Sequence, residues 1–214
     1  MRISVIMPVC LDPYQTVPEP DTDQFVITSA PNAEYKFRRA CDSFGNQNFR
    51  DAELIIVSDG NRRAEEIFKE SYEYDPRFRF KYIEKQPSYS GKVRQTGLRM
   101  AKGDIICYLD HDDQIGKDHL TIINDNFDTE KYDWIYYDDY LVDGIIINVR
   151  EVTPEICKIG TSSIAHRRDV NVKWGNKYGH DWYLIKKYLL PLENCIKILT
   201  PQYYVCHATD IIIL

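Results

Sequence analysis

Hydrophobic residues in this chain come in short unbroken runs separated by stretches with a helical period. Ile3-Ser4-Val5-Ile6-Met7-Pro8-Val9, Leu54-Ile55-Ile56-Val57 and Ile105-Ile106-Cys107-Tyr108-Leu109 are rich in β-branched residues and too short for core helices. Runs of this kind read as buried strands. Between them the period lengthens. Phe37, Ala40, Cys41 and Phe44 stand at i, i+3, i+4 and i+7, and Val93, Gly97, Leu98 and Ala101 share one face before a Lys102-Gly103 stop.

The pattern predicts strands at Ile3–Val9, Glu53–Val57, Phe78–Glu84, Ile105–Leu109 and Trp134–Tyr137. It predicts helices at Glu34–Phe44, Arg63–Tyr74, Lys92–Ala101 and Asp118–Phe127. Further on it predicts a hairpin over Tyr140–Val149 turning at Asp143-Gly144, a short strand at Ser163–His166, a helix at His180–Leu190, and late strands at Cys195–Leu199 and Tyr203–Cys206. Cys10–Asn32, with Pro13, Pro18, Pro20 and Pro31, reads as a long loop, either a lid or disordered. Alternating strands and helices imply an α/β fold with a mostly parallel central sheet and helices on both faces. With no repeat or linker in the sequence, the expectation is a single domain over 1–214.

Composition narrows the function. The chain has 214 residues, 43% hydrophobic and 28% charged, with a net charge of −6. An acidic surface argues against a general nucleic-acid binder, because neutralising phosphates needs basic residues. No apolar run approaches the roughly 20 residues that cross a bilayer. The N-terminus enters a strand at once, without a signal-peptide pattern. A soluble cytoplasmic protein is therefore expected. Its six cysteines include no C-x-x-C pair, so they read as reduced and structural rather than as a zinc site.

The chemistry concentrates at Asp110-His111-Asp112-Asp113, directly after an apolar strand. Carboxylates crowded at the C-terminal end of a buried strand repel one another and call for a cation. In open α/β sheets that edge is also where ligands sit. An acidic turn capping the next helix fits the same residues. Asp138-Asp139, lacking any cradle of basic or glycine residues, reads as a solvated turn.

Several blocks together resemble the family-2 glycosyltransferases of the GT-A fold. Ile3 to Val9 is similar to that family's opening strand, and Ser58-Asp59-Gly60-Asn61 to its Asp-Asp-Gly-Ser turn. Gly91 to Gly103, with Arg94, resembles its Arg-Asn-x-Gly helix, and Asp110-His111-Asp112-Asp113 its D-x-D-D motif. Gly179-His180-Asp181-Trp182 is similar to its Glu-Asp motif, and Tyr203-Tyr204-Val205-Cys206-His207 to its Tyr-Tyr-x-x-His. The blocks follow the family's order over nearly the whole chain. Ser58 and His180 stand where the family has Asp and Glu, and Gln95 where it often has Asn.

The resemblance implies a metal-dependent enzyme that moves a sugar from a nucleotide-sugar, a UDP-sugar by the look of Asp59, to an acceptor hydroxyl with inversion. Pro8, Val9 and Asp59 would hold the base, Arg94 the diphosphate, and Asp110 the ribose or sugar. Asp112, Asp113 and His207 would serve Mn²⁺ or Mg²⁺. Asp181 would be the catalytic base, with His180 as a second candidate. Gly160-Thr161-Ser162-Ser163 matches the acceptor-side segment loosely. The acceptor would be a glycan or a lipid-linked sugar reached at the membrane surface, with no nucleic-acid partner. On the sequence as it stands, no membrane helix or added domain follows His207. The 10–32 loop is expected to close over donor or acceptor.

Other readings remain open. Ser58 and His180 allow a sugar-nucleotide-binding protein of the same fold without activity. A nucleotidyltransferase would also pair metal with nucleotide, but it carries a glycine-rich basic loop after its first strand, where this chain has Cys10-Leu11-Asp12-Pro13. A metal-dependent phosphatase places D-x-D after its first strand, whereas here it follows the fourth.

Overall fold

The computed structural model describes residues 1–11, 16–18, 25–27, 32–87, 89–198 and 202–206. In chain order the elements are β1 (Ile3–Val9), β2 (Thr16–Pro18), β3 (Phe25–Ile27), α1 (Ala33–Gly45), β4 (Ala52–Asp59), α2 (Arg62–Ser71), β5 (Phe78–Ile83), α3 (Gly91–Met100) and β6 (Ile105–Tyr108). They continue with β7 (Gln114–Ile115), α4 (His119–Asn126), β8 (Trp134–Tyr137), β9 (Asp139–Asp143), β10 (Ile146–Arg150), β11 (Ile164–Arg167), α5 (His180–Leu184), β12 (Cys195–Ile198) and β13 (Tyr203–Val205).

Among the described residues a seven-stranded sheet runs β12-β8-β11-β6-β1-β4-β5. Its neighbours are parallel except at β11, which is antiparallel to both β6 and β8. Every residue of β1 is buried. Its side chains alternate between two cores. Val5 and Met7 pack with Phe37 and Phe44 of α1 and Ile67 of α2. Ile6 faces the other way, toward Val93 of α3 and Leu184 of α5. Helices therefore cover both faces, as the unbroken apolar strands require. Truncating Phe37 or Phe44, both fully buried, would cost about 3–5 kcal/mol. No helix among the described residues is long and apolar enough to cross a membrane.

The chain winds outward from β1 through β4 to β5, then α3 carries it back to β6 on the far side of β1. The order reverses between β1 and β6, and the C-terminal ends of these strands open a crevice there.

The opposite edge is closed by a buried polar knot. Ser4 Oγ donates to Glu53 Oε1 at 2.7 Å, Lys102 N donates to the same oxygen at 2.7 Å, and Arg79 Nη1 donates to Oε2 at 2.8 Å. Gly103 N donates to Ser4 Oγ at 2.8 Å. Burial alone would raise the Glu53 pKa, but the hydrogen bonds from Ser4, Arg79 and Lys102 outweigh it and hold it below the ordinary glutamate value. A Cβ on Gly103 would lie 2.6 Å from Ser4 N, so the α3–β6 turn can close onto β1 only with glycine.

The structure corrects the sequence expectations in several places. β4 extends through Asp59 because Ser58 and Asp59 still pair with Tyr82 and Ile83 of β5. The helix expected over His180–Leu190 begins as α5 and widens into a π-helical stretch at Ile185–Leu189. Within the expected 10–32 loop, β2 and β3 pair antiparallel, Val17 opposite Val26. The remainder of that loop, residues 12–15, 19–24 and 28–31, lies outside the described residues, as do Leu199 and His207. A second sheet, β10-β9-β13-β7, was not foreseen beyond its β9–β10 hairpin. Asp138 and Asp139 are not solvated. Asp139 is fully buried, takes a two-pronged contact from Arg150 at 2.8 and 2.5 Å, and accepts from Ser162 and Ser163. Asp138 accepts from Val152 N and pairs with Lys197, each at 2.7 Å. Arg150 stands directly opposite Asp139, one step beyond the expected hairpin, whereas Lys197 lies too far along the chain for local patterning to reveal its pairing.

Candidate active site

At the strand reversal lies a cleft of about 330 Å³, lined among others by Pro8, Val9, Cys10, Asp59, Arg94, Asp110, Asp112 and His180. Residues separated by more than 170 positions meet there because β1, β4 and β6 are adjacent and parallel and α3 and α5 pack on one face of them.

Asp59 closes β4. Its Oδ1 accepts from Gln86 N at 2.7 Å, and its Oδ2 lies 3.8 Å from Lys85 Nζ. Lys85 also donates to Cys10 Sγ at 3.0 Å. The following Gly60 has φ +72°, and a Cβ there would fall 2.6 Å from Lys85 Cβ, so the turn that presents Asp59 demands glycine. Ser58 is buried and ties this turn together, donating to Asn61 O at 2.7 Å and accepting from Asn61 N. The hydroxyl in place of a carboxylate thus serves the turn. Asn61 in turn caps α2, its Oδ1 accepting from Ala64 N at 3.0 Å.

The acidic loop sorts its carboxylates. Asp113 points inward: Oδ2 accepts from Tyr203 OH at 2.9 Å and Oδ1 from Cys206 N at 2.7 Å. The Tyr203 hydroxyl accepts in turn from Asp110 N at 3.0 Å, and Arg39 Nη2 donates to Asp112 O at 2.6 Å. The loop is thereby pinned to α1 and β13. Asp113 does not line the cleft, and both its oxygens are engaged. Burial, then the neighbouring Asp112 and Asp110 charges, raise its pKa well above the ordinary range. Asp110 and Asp112 do line the cleft. Among the described residues, nothing hydrogen-bonds to or pairs with the Asp112 carboxylate. No three metal-ligating side chains converge among the described residues. Cys206 brings the chain to the acidic loop immediately before His207.

Arg94 is 5% exposed and held on several sides. Nη2 donates to Asp110 Oδ1 at 2.5 Å, and Nη1 donates to His180 Nε2 at 2.9 Å and to Ser90 Oγ. The guanidinium lies 5.3 Å from the Trp174 ring centre. An arginine only donates, so His180 Nε2 must present its lone pair and the imidazole is neutral. Burial, then the Arg94 charge, lower the His180 pKa in keeping with this. Gly91, at the start of α3, would put a Cβ 1.7 Å from Gly175 O, so glycine lets this helix meet the Trp174 loop.

Asp181 sits in the first turn of α5 beside His180. It is partly exposed and does not line the cleft itself. Its Oδ1 accepts from Trp182 N at 2.7 Å, and its Oδ2 faces Gly160, where a Cβ would stand 3.5 Å away. Tyr89 packs edge-on to Tyr178 and tilted to His180, with ring centres 6.0 and 6.1 Å apart.

Pro8, Val9, Asp59, Arg94, Asp110, Asp112 and His180 are thus brought together, Asp181 is placed alongside, and Asp113 is turned away. Lys85, Ser90, Trp174 and Arg39 were not singled out from the sequence. Ser90 stands four residues before Arg94, which on one helical face is a signal. Lys85, two residues past β5, has none short of the β4–β5 register.

The glycosyl transferase family 2 model matches residues 25–191, and the chain belongs to that family. Glycosyltransferase GlyA of Streptococcus pneumoniae is 34% identical over 96 residues, 44% of this chain and 14% of GlyA. TarS of Staphylococcus aureus, solved as residues 1–349 with UDP-GlcNAc, superposes with a TM-score of 0.73 at 19% identity, covering 96% of this chain and 58% of that one. The mannosyltransferase PcManGT of Pyrobaculum calidifontis, solved with GDP-Man and Mn²⁺, gives 0.67 at 14% identity, over 96% and 56%. The matched segments span 14%, 27% and 38% of the first three curated relatives' lengths. The fold is that of the GT-A glycosyltransferases, as the sequence blocks implied.

Proposed function

We propose that this chain transfers a sugar from a nucleoside-diphosphate sugar, a UDP-sugar, to an acceptor hydroxyl with inversion. The observation that carries this reading is that Asp59, Arg94, Asp110 and Asp112 line one cleft at the strand reversal. The family membership and the sugar nucleotides bound by fold neighbours support it.

In this reading the base lies between the Pro8–Val9 backbone and Asp59, whose carboxylate accepts from the uracil N–H. Asp110, held by Arg94, meets the ribose or sugar. Asp112 supplies hard oxygen to Mn²⁺ or Mg²⁺, and its carboxylate, unengaged among the described residues, fits such a cation. His207 is the further candidate ligand. When bound, the cation neutralises charge on the departing diphosphate. Asp113 anchors the loop. Asp181, with Oδ2 facing Gly160, takes the proton from the acceptor hydroxyl as that oxygen attacks the anomeric carbon. His180 is not the base, because its accepting nitrogen faces Arg94. Tyr89 and Tyr178 offer rings on which an acceptor glycan can stack.

Calorimetric titration of UDP with Mn²⁺, then with EDTA, on the wild type and Asp112→Ala tests the donor site. Metal-dependent binding lost in the variant is expected. GDP binding in place of UDP would overturn the base assignment, and binding of neither would overturn the reading. Product formation with the anomeric configuration read by NMR separates an inverting enzyme from a retaining one and from a binding protein.

A further inference from the structure

We infer that His180 is a positioning residue that sets the donor site through Arg94. The inference rests on the proposed donor site and concerns how that site is held. Three segments meet at one guanidinium: α3 and the residue before it supply Arg94 and Ser90, the acidic loop supplies Asp110, and α5 supplies His180. The guanidinium is a rigid planar fork, so fixing one arm fixes the other. His180 Nε2 and Ser90 Oγ take Nη1, which leaves Nη2 aimed at Asp110 Oδ1 at 2.5 Å. Trp174 lies 5.3 Å from the guanidinium on the remaining side.

Charge explains why a neutral acceptor suits this position. The resemblance puts a glutamate where this chain has His180. A carboxylate there would compete with Asp110 for the one guanidinium. The imidazole accepts a hydrogen bond without competing for charge, so the Arg94 charge is committed to Asp110. Asp110 is then neutralised and oriented, and Asp112, with no partner among the described residues, remains the carboxylate available to a cation. Asp181, next in the chain after His180, is thereby tied to the donor loop: a shift of Asp110 and a shift of the α5 first turn must pass through the same side chain.

The test compares amides of different length. Gln at 180 can place an oxygen near the position of Nε2, whereas Asn reaches only as far as Nδ1. UDP and GDP, each with Mn²⁺, are titrated into the wild type, His180→Gln and His180→Asn, with circular-dichroism melts to establish that each is folded. His180→Gln is expected to bind within about twofold of the wild type and His180→Asn about tenfold more weakly, the effect of losing one hydrogen bond to a charged group. If His180→Asn does not fold, His180→Ser, which also lacks an acceptor at the Nε2 position, carries the test with the same sign. Wild-type affinity in His180→Asn, or in His180→Ser where that substitutes, would overturn the inference while leaving the donor site intact. So would equal weakening by Asn and Gln, because a role in packing alone predicts it. A wild type that binds neither nucleotide would overturn the proposed function, and this inference with it.

Discussion

The two edges of the central sheet carry similar residues in opposite states. At the N-terminal edge, Glu53 is fully buried and met by Ser4, Arg79 and Lys102. At the C-terminal edge, Asp110, Asp112 and Asp113 crowd together, and Arg94 answers only Asp110 directly. At the first edge both oxygens of the buried carboxylate are hydrogen-bonded. The second keeps a carboxylate without a partner among the described residues, in an open cleft. Removing a partner from a satisfied buried ion is destabilising, whereas a part-exposed carboxylate without a partner is available to a ligand. That difference separates the structural edge from the proposed active one.

The contrast can be broken from either side. The largest expected effect is on turnover: Asp181→Asn should lower kcat about 1000-fold, roughly 4 kcal/mol in the barrier, with nucleotide affinity unchanged. An equal loss of nucleotide binding would mean that Asp181 belongs to the donor half. Next, Glu53→Ala should lower the free energy of unfolding by about 3 kcal/mol in denaturant titration, because Arg79, the Ser4 hydroxyl and the Lys102 backbone N–H lose their acceptor. Nucleotide affinity of the folded fraction should not move, since the knot lies at the other end of the strands.

Asp112→Ala should behave in the reverse way. In EDTA its melting temperature should match or exceed the wild type, because one of the charges that raise the Asp113 pKa is gone. The stabilisation of the wild type by Mn²⁺ in thermal melts should disappear. A marked loss of stability in EDTA would make Asp112 a structural residue.

The smallest effect is on pH dependence, where the two edges have opposite signs. Glu53 titrates below its unfolded value, so its contribution is present above about pH 4.3 and is lost as pH falls through the lower folded value. Asp113 titrates above its unfolded value. Its contribution is therefore present below about pH 3.9 and is lost as pH rises through the higher folded value. Denaturant unfolding in EDTA and in Mn²⁺ should thus diverge increasingly as pH rises from 4 to 7. Parallel curves would indicate that the cation does not reach the acidic loop.

Much of this was legible in the chain because the signals were local. The runs at β1, β4 and β6 are continuous and apolar, so their burial on both faces followed from pattern. The turn residues after them marked the edge where Asp59, Asp110 and Asp112 emerge. The failures were non-local. Asp138-Asp139 read as a surface turn because Lys197, Ser162 and Ser163 lie elsewhere in the chain, although Arg150 stands opposite Asp139 one step beyond the expected hairpin. β7 is only two residues long and owes its existence to pairing with β13, which periodicity cannot register. The short β2–β3 ribbon was masked by its prolines.

The sequence by itself determined the α/β alternation, the family and the candidate site residues, because hydrophobic period and short motifs are properties of neighbouring positions. Only the tertiary structure decided how each of those residues is held. Asp110, Asp112 and Asp113 are equivalent as letters. β13 draws Asp113 inward through Tyr203 and Cys206, α3 takes Asp110 through Arg94, and Asp112 is left facing the cleft. Hydrogen-bond partners 16 to 93 residues away made that assignment, and a linear pattern does not contain them.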